Sequence, residues 1–220
     1  MISIAIDGPA GAGKSTLSRK LAENFGYIYV DTGALYRTVG LKFLNLGFDT
    51  DLSCNISEIL EKTTVDIRFV DGQQRVFLDD KDVSDDIRTP KASMMASAVS
   101  AKPEVRAFLI DMQRKLAKEN NIVMDGRDIG TVVLPDATVK IYLTASAEAR
   151  AKRRFDELVL KGEKVTYKEV YDDMVQRDYN DMSRKIAPLK KADDAILADT
   201  SDLDLSESLE LLIKIVNEGK

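Results

Sequence analysis

Residues 8–15 spell Gly-Pro-Ala-Gly-Ala-Gly-Lys-Ser, which completes the pattern Gly-x-x-x-x-Gly-Lys-Ser/Thr. Residues 2–7 form a short apolar, β-branched run that predicts a buried strand. Residues 15–25 repeat leucine or phenylalanine every four positions, which predicts a helix with one apolar face. A strand, a glycine-rich loop and a helix in this order cradle the phosphates of a nucleotide. We therefore predict that the chain binds a nucleoside polyphosphate, and the alternative is a glycine-rich turn without a ligand.

The positions of this loop have separate expected roles. The glycines let the backbone approach a polyphosphate without a Cβ in the way, and the amides at the helix N-terminus face its oxygens. Lys14 reaches the β- and γ-phosphates, and the Ser15 hydroxyl ligates Mg²⁺. The residues expected to bind ATP are Gly8, Pro9, Ala10, Gly11, Ala12, Gly13, Lys14, Ser15 and Thr16.

The chain contains no histidine among its 220 residues. Histidine-based triads, histidine metal sites and histidine general bases are therefore excluded. The chemistry has to rest on Lys, Arg, Asp and bound Mg²⁺. Phosphoryl transfer suits this set because it depends mainly on positioning and charge neutralisation.

Charge and hydropathy restrict the partners and the compartment. A net charge of −5 argues against nucleic acid or a membrane surface as a partner, and no apolar run reaches the ~18 residues of a membrane helix. The sequence enters its first predicted strand directly, without a signal peptide, and the single Cys54 cannot form an internal disulfide. We expect a cytoplasmic monomer that acts on small molecules.

Further apolar segments predict four more buried strands, and helical patterns separate them, which indicates βαβ units and a parallel sheet. These strands are Tyr27–Val30, Ile122–Asp125, Val139–Leu143 and Ala195–Ala198. Helices are predicted over Ala34–Leu46, from Pro103 onwards, and after a capping-box pattern that begins at Asp204.

Two regions interrupt this alternation. Residues 65–70 alternate with period two, Asp71-Gly72 is a turn signal, and Arg75–Asp79 follows as a partner strand. We predict a small antiparallel insertion at about 62–88. The second region, Arg150–Arg184, is charged and helical in pattern, with Gly162 as its break.

Residues 31–37, Asp-Thr-Gly-Ala-Leu-Tyr-Arg, follow the second predicted strand. The carboxyl end of a parallel strand is where α/β proteins bind ligands, and Arg37 has the fork-shaped donor set that suits a second phosphate. The alternative is that Asp31 or Thr32 simply caps the next helix. Capping does not explain Tyr36 and Arg37, so we predict a phosphate-binding segment.

Residues 122–128 form an apolar strand that ends in Asp-Gly-Arg-Asp. Asp125 is placed like a carboxylate that holds Mg²⁺ directly or through water, and Arg127 is a candidate phosphate clamp. The alternative is a tight Asp-Gly turn. Two carboxylates and an arginine at the end of a strand favour a functional site.

Arginines cluster in the charged region. Arg153 and Arg154 stand close to Arg150, and Arg177 and Arg184 are seven positions apart, which places them on one helical face. The alternative is a solvated face paired with acidic neighbours, namely Glu148, Asp156, Glu157, Asp173 and Asp181. Transfer between two phosphorylated molecules must neutralise several negative charges, which favours an arginine-rich lid. Because clustered arginines repel one another, we expect this lid to be open without ligand.

Taken together, these segments resemble the bacterial cytidylate kinases within the nucleoside monophosphate kinases, over essentially the whole chain. The resemblance rests on residues 7–15, 31–37, the 65–88 insertion, Asp-Gly-Arg-Asp-Ile-Gly-Thr-Val-Val at 125–133 and Ile-Ala-Pro-Leu at 186–189. The glycine loop alone is not specific to that family, whereas the 31–37 and 125–133 segments together are highly specific.

The resemblance implies an α/β P-loop kinase fold, with a five-stranded parallel sheet flanked by helices, a small antiparallel insertion and a helical lid. The implied regions are a core at 1–31, 89–149 and 185–220, a monophosphate-binding region at 32–88 and a lid at about 150–184. The implied reaction is in-line transfer from ATP to CMP, giving ADP and CDP, with dCMP also accepted.

The resemblance also implies roles for single residues. Thr32, Arg37, Arg127 and Arg184 hold the acceptor nucleotide or its phosphate, Ser97, Arg106 and Asp128 recognise the cytosine edge, and Arg177 and Asp181 are placed for the sugar. Tyr36 completes the expected substrate site. The residues expected to carry catalysis are Lys14, Asp125, Arg127, Arg154, Arg177 and Arg184. Thr32 stands where some relatives have serine, which keeps the hydroxyl.

Two other classes of function stay open from the sequence. Another small-molecule kinase, of the adenylate, uridylate, shikimate or gluconate type, shares the loop and lid, but the insertion and the set of Ser97, Arg106 and Asp128 argue against it. A P-loop switch or binding module would bind nucleotide without turnover. A GTPase of that kind carries Asn-Lys-x-Asp to recognise guanine, and the chain has no Asn-Lys dipeptide.

Overall fold

A computed structural model describes residues 1–70 and 73–220. The strands in this part of the chain are β1 (Ser3–Asp7), β2 (Ile28–Asp31), β3 (Val65–Val70), β4 (Gln73–Leu78), β5 (Lys81–Asp82), β6 (Ile122–Gly126), β7 (Val139–Thr144) and β8 (Ile196–Asp199). The helices are α1 (Lys14–Phe25), α2 (Thr32–Asn45), α3 (Ile56–Glu61), α4 (Pro90–Ser100), α5 (Pro103–Glu119), α6 (Ala147–Leu160), α7 (Tyr167–Met182) and α8 (Leu205–Gly219). A π-helical turn spans Ile129–Val133.

The predicted five-stranded parallel sheet is confirmed, in the order β2-β6-β1-β7-β8. At its carboxyl edge, Asp7 of β1 pairs with Gly126 of β6, and Asp31 of β2 pairs with Asp125. This register brings the ends of three predicted functional segments side by side, because parallel strands that pair in register end together.

Helices cover both faces of this sheet, as its continuous apolar strands predict. Successive residues of β1 point to opposite faces: Ile4 and Ile6 pack with Leu212 of α8 on one side, and Ala5 packs with Met124 on the other. A further buried cluster joins α2 and α5 to the antiparallel strands. Both faces of the sheet are therefore sealed, and the carboxyl edge is the end available for ligands.

The antiparallel insertion is confirmed, with β3 paired to β4 and β4 paired to β5. β4 begins two residues earlier than predicted, and the two-residue strand Lys81–Asp82 was not predicted because so short a segment has no alternation. The predicted turn at Asp71-Gly72 lies outside the described residues.

The charged region forms two helices, α6 and α7, with Gly162 between them at a φ of +80°. Such a left-handed conformation favours glycine, so the predicted break is confirmed. Thr166 and Glu169 form a capping box at the start of α7. The proposed limits of the lid, at about 150–184, stay a prediction. Within the described ranges, none of the helices has both the length and the apolar character that a bilayer crossing demands.

Candidate active site

A cavity of about 790 Å³ opens at the carboxyl edge of the sheet. All of the sequence-predicted site residues line it except Gly8 and Pro9. The walls come from the glycine loop, the start of α2, helices α4 and α5, the end of β6 and the two charged helices. The structure therefore brings the separate sequence motifs into one cleft.

Two glycines of the glycine loop lie where a larger side chain would meet neighbouring elements of the fold. A Cβ on Gly8 would collide with the Leu143 carbonyl oxygen of β7. A Cβ on Gly11 would lie 2.8 Å from Cε of Met174 on α7. The first position therefore requires a glycine because the backbone of β7 lies against it, and the glycine at position 11 lets α7 pack against the loop.

Lys14 lies inside the loop, and its Nζ donates to the Pro9 carbonyl oxygen at 2.6 Å. Its side chain is buried. Burial first, and the nearby Arg127 second, lower the pKa of Lys14 well below its usual range. A polyphosphate next to this amine would reverse that effect, because anionic oxygens favour the charged form.

Asp125 is buried at the end of β6, and its two carboxylate oxygens accept from different hydroxyls. Oδ1 accepts from the Tyr29 hydroxyl at 2.8 Å, and Oδ2 accepts from Ser15 Oγ at 3.3 Å. Burial, followed by the nearby Asp31, raises the pKa of Asp125 to about 6. Tyr29 is a site residue that the sequence did not indicate.

The pair of Ser15 and Asp125 fits Mg²⁺, which prefers hard oxygen donors. A buried carboxylate with a raised pKa also gains from a nearby cation. Within residues 1–70 and 73–220, no group of three or more His, Cys, Asp or Glu side chains could hold a metal on its own. This agrees with a cation that takes its remaining ligands from phosphates and water.

Asp31 and Arg37 form an ion pair at 2.8 Å at the start of α2. Asp31 also accepts from the Ala34 amide at 2.9 Å and so caps this helix, which confirms the capping alternative for this residue. Thr32 Oγ1 donates to the Asp125 carbonyl oxygen at 2.8 Å. The hydroxyl of Thr32 therefore joins β6 to α2. Thr32 also lines the cavity, where it was expected to hold the acceptor nucleotide.

A buried ion pair joins Arg106 of α5 to Asp128, which follows β6. Arg106 Cζ lies 5.8 Å from the ring centroid of Tyr36, and its Nη1 donates to the Ser100 carbonyl oxygen at 3.4 Å. Burial raises the pKa of Asp128 although Arg106 opposes the shift. Ser97 lines the same cavity, so the three residues expected to recognise the base share one cleft with the glycine loop.

Asp181 of α7 lies between two arginines that line the cleft. It accepts from Arg127 Nε at 2.7 Å and from Arg184 Nη2 at 3.1 Å. Burial alone would raise the pKa of Asp181, but Arg127 first and Arg184 next outweigh burial and lower it. Arg184 also donates to Ser100 Oγ at 3.2 Å.

Arg177 contrasts with these two arginines. It makes no hydrogen bond or ion pair with the rest of the described chain, although solvent still reaches its side chain. Loss of hydration in the cleft, and then the nearby Arg127, lower the pKa of Arg177. An anionic ligand in the cleft would therefore give Arg177 a partner and favour its charged form.

The remaining arginines of the charged region are partly used within the protein. Arg154 pairs with Glu157 at 2.8 Å, Arg150 pairs with Asp178 at 2.7 Å, and Arg153 donates to backbone carbonyl oxygens of the β8–α8 loop. Carboxylates on the same helices therefore neutralise part of this charge, while the expectation that the lid is open without ligand stays a prediction.

Comparison with known proteins agrees with this geometry. The family model described as cytidylate kinase matches residues 4–218. A cytidylate kinase of Caldicellulosiruptor saccharolyticus is 52% identical over 214 residues, which are 97% of this chain and 95% of the relative. A cytidylate kinase of Carboxydothermus hydrogenoformans is 50% identical over 213 residues, covering 97% and 96%.

A solved structure of an uncharacterised protein from Eubacterium ventriosum aligns over 99% of both chains, with a TM-score of 0.53 and 15% identity. At that identity the likeness shows the fold alone. The family match, by contrast, spans nearly the whole chain and includes every residue that lines the cleft. This chain belongs to the cytidylate kinase family.

Proposed function

We propose that this chain transfers the γ-phosphoryl group of ATP to CMP or dCMP, giving ADP and CDP or dCDP by direct in-line displacement. The observation that carries the proposal is the buried pair of Arg106 and Asp128, which shares one cavity with the glycine loop. A phosphate-binding loop alone fits many kinases. A buried donor and acceptor in the same cleft add the means to select a base.

The chemistry of the pair suits cytosine. The cytosine edge offers an N4 amino donor and the N3 and O2 acceptors, so Asp128 accepts from N4 and Arg106 donates to N3 or O2. Uracil presents an oxygen where cytosine has its amino group, and this oxygen would face the Asp128 carboxylate. Sites whose buried polar groups lose a partner discriminate by about 10⁴-fold or more.

The phosphates are expected to lie between this pair and the loop. Lys14 neutralises charge on the donor, while Arg37, Arg127, Arg177 and Arg184 surround the acceptor phosphate and the group in transfer. The acceptor is a phosphate oxygen that is already anionic at neutral pH. It needs no strong general base, which agrees with a chain that lacks histidine.

Ser15 and Asp125 are the residues that would hold Mg²⁺, directly or through water. When bound, this cation neutralises part of the phosphate charge. Tyr29 keeps one oxygen of Asp125 fixed by donating to it, which leaves the oxygen beside Ser15 for the cation. Chelation by EDTA should therefore abolish turnover, and added Mg²⁺ should restore it.

The charged helices α6 and α7 are expected to act as a lid. Water has to be excluded during transfer, since it would otherwise accept the phosphoryl group from ATP. Arg154 and Arg177 line the cavity from this side and would contact the phosphoryl group in transfer after closure. Charge-assisted hydrogen bonds that exist only in the filled site would provide the driving free energy.

A coupled assay of ADP formation with ATP and a panel of acceptors tests the proposal. The panel contains CMP, dCMP, UMP, AMP, shikimate and gluconate at equal concentrations. CMP and dCMP should give the highest kcat/KM, followed by UMP. Preferred turnover of AMP, shikimate or gluconate would replace the proposal by another kinase type, and nucleotide binding without any turnover would identify a binding module.

A further inference from the structure

Asp7 is a buried carboxylate that the proposed reaction does not use. It ends strand β1, directly before Gly8 of the glycine loop, and its side chain is almost inaccessible to solvent. Its Oδ1 accepts from the Ile129 amide at 2.7 Å and its Oδ2 accepts from the Gly130 amide at 2.7 Å. Both oxygens of one carboxylate thus bind consecutive backbone N–H groups 122 and 123 positions away.

These two amides begin the π-helical turn that immediately follows Asp128. The ladder between β1 and β6 ends where Asp7 pairs with Gly126. Arg127 and Asp128 therefore lie between two fixed points, the last pair of the ladder and the carboxylate clamp of Asp7. The fit is close, because a Cβ on Gly130 would lie 3.4 Å from Asp7 Oδ2 and 3.1 Å from Cδ of Lys140.

Lys14 is not the hydrogen-bonding partner of this carboxylate. Its Nζ donates to the Pro9 carbonyl oxygen instead, and the ion pairs of the described residues include none between Lys14 and Asp7. What Asp7 contacts directly is the backbone that presents the base-recognising carboxylate. The donor loop and the acceptor end of the cleft are thus connected through one side chain.

We propose that Asp7 is a positioning residue for base selection, which holds Asp128 in register with Arg106 relative to the glycine loop. This inference rests on the proposed function. Asp7 touches neither nucleotide in this proposal. It acts through the backbone of Ile129 and Gly130, so its loss should change which base is accepted more than how ATP is bound.

The test is Asp7→Asn, compared with wild type by kcat/KM for CMP and for UMP. The amide keeps one acceptor oxygen and places an NH₂ donor against the second backbone N–H, so one hydrogen bond to a charged group is lost. We expect kcat/KM for CMP to fall about tenfold or more, which is the scale of one such hydrogen bond. The ratio of kcat/KM for CMP to kcat/KM for UMP should also fall. Binding of an ATP analogue without acceptor, measured by calorimetry, should change by less than about threefold.

Ile4→Val is the matched control, because it removes one methylene from the same buried strand and lowers stability without touching the clamp. It should leave the CMP/UMP ratio unchanged. Asp7→Glu is the second variant: it keeps the charge but displaces both oxygens by a methylene. If the position of the carboxylate oxygens matters, Asp7→Glu also lowers the ratio of kcat/KM for CMP to that for UMP. This variant replaces Asp7→Asn in the test if Asp7→Asn does not fold.

The outcomes separate the two levels of inference. The positioning role would be overturned if Asp7→Asn lowered kcat/KM equally for CMP and UMP, or if Asp7→Glu kept the wild-type ratio of the two kcat/KM values. Asp7 would then be a fold-stabilising residue. A wild-type enzyme that shows no preference for CMP would overturn the proposed function, whatever the variants do.

Discussion

Arg150 and Asp178 form an ion pair at 2.7 Å that joins helices α6 and α7. The same guanidinium donates to the Ala10 carbonyl oxygen of the glycine loop at 2.9 Å and to the Ala145 carbonyl oxygen at 2.9 Å. Arg150 is buried, and only 13% of the Asp178 side chain is exposed. One arginine therefore fixes α6 and α7 to the glycine loop.

Arg150→Met should lower the free energy of unfolding by about 3–5 kcal/mol, because it leaves Asp178 as a buried charge without its partner. Urea denaturation measures the change. Arg150→Met combined with Asp178→Leu should recover much of the loss, since neither charge then remains. Lys152→Met is the control on the same helix: its ion pair with Asp156 is exposed and should contribute less than about 1 kcal/mol. Equal losses in the two single variants would contradict the structural role of Arg150.

Lys14→Ala should damage turnover far more than nucleotide binding, because the amine neutralises charge that builds up during transfer. We expect kcat to fall about 10³-fold or more, with the Kd of ATP raised by less than about tenfold. Lys20→Ala, at an exposed position of the same helix, is the control and should behave as wild type. A Lys14 variant with nearly normal kcat would remove this residue from the mechanism.

Much of the fold follows from local sequence patterns. Buried parallel strands such as Ile122–Gly126 are continuous apolar runs with turn signals at their ends, so they can be located within a residue or two. The two-residue strand Lys81–Asp82 and the π-helical turn Ile129–Val133 have no such pattern. The latter is rich in β-branched residues. Its first two amides donate to Asp7, and Arg114 donates to the carbonyl oxygens of Val132 and Val133, so distant side chains hold its conformation.

The candidate site likewise has a part that the sequence predicts and a part that it does not. The glycine loop and the 31–37 segment are contiguous motifs, and the sequence alone indicates their ligand. Partners that meet only in three dimensions carry no such signal: Tyr29 contacts Asp125 across 96 positions. Asp181 was a predicted partner of the nearby arginines, and its pair with Arg184, three positions on, fits that expectation. Its contact with Arg127 was not predicted, because helical spacing predicts neighbours on one helix and not contacts with a distant strand end.

Asp128→Asn should reduce the preference for CMP over UMP, because we propose that this carboxylate accepts from the cytosine N4 amino group. The kcat/KM ratio of the two substrates is the readout, and we expect it to fall by about tenfold or more. Asp111→Asn is the control, at an exposed position of α5. An unchanged ratio in Asp128→Asn would mean that base selection lies elsewhere, with Ser97 and Arg106 as the next residues to vary.

Stability should depend on pH through Asp7. Burial raises the pKa of Asp7 from its usual value of 3.8 to about 6. The two backbone N–H groups and Lys14 oppose this shift by lowering the pKa, and the nearby Asp128 adds to it. Between pH 3.8 and pH 6, Asp7 therefore binds a proton more readily in the folded protein than in the unfolded chain. The free energy of unfolding of wild type, relative to Asp7→Asn, should therefore rise as the pH falls from 7 through 6 towards 4, by up to about 3 kcal/mol. Urea denaturation of both proteins across this range measures the difference, and parallel curves would contradict the assignment.

The lid helices should change their protection when both substrate sites are filled. Arg154 has to exchange Glu157 for phosphate oxygens, and Arg177, which lacks a partner among the described residues, has to gain one. Charge-assisted hydrogen bonds to phosphate are roughly twice as strong as neutral ones, so a bisubstrate mimic of ATP and CMP should hold α6 and α7 down over the cleft. Hydrogen exchange across residues 150–184 should then slow, while residues 209–219 of α8, which do not line the cavity, serve as the internal control. A mimic of the monophosphate alone should give a smaller effect, because it lacks the donor phosphates. Equal exchange with and without the bisubstrate mimic would reduce these arginines to a charged helix surface and leave the exclusion of water unexplained.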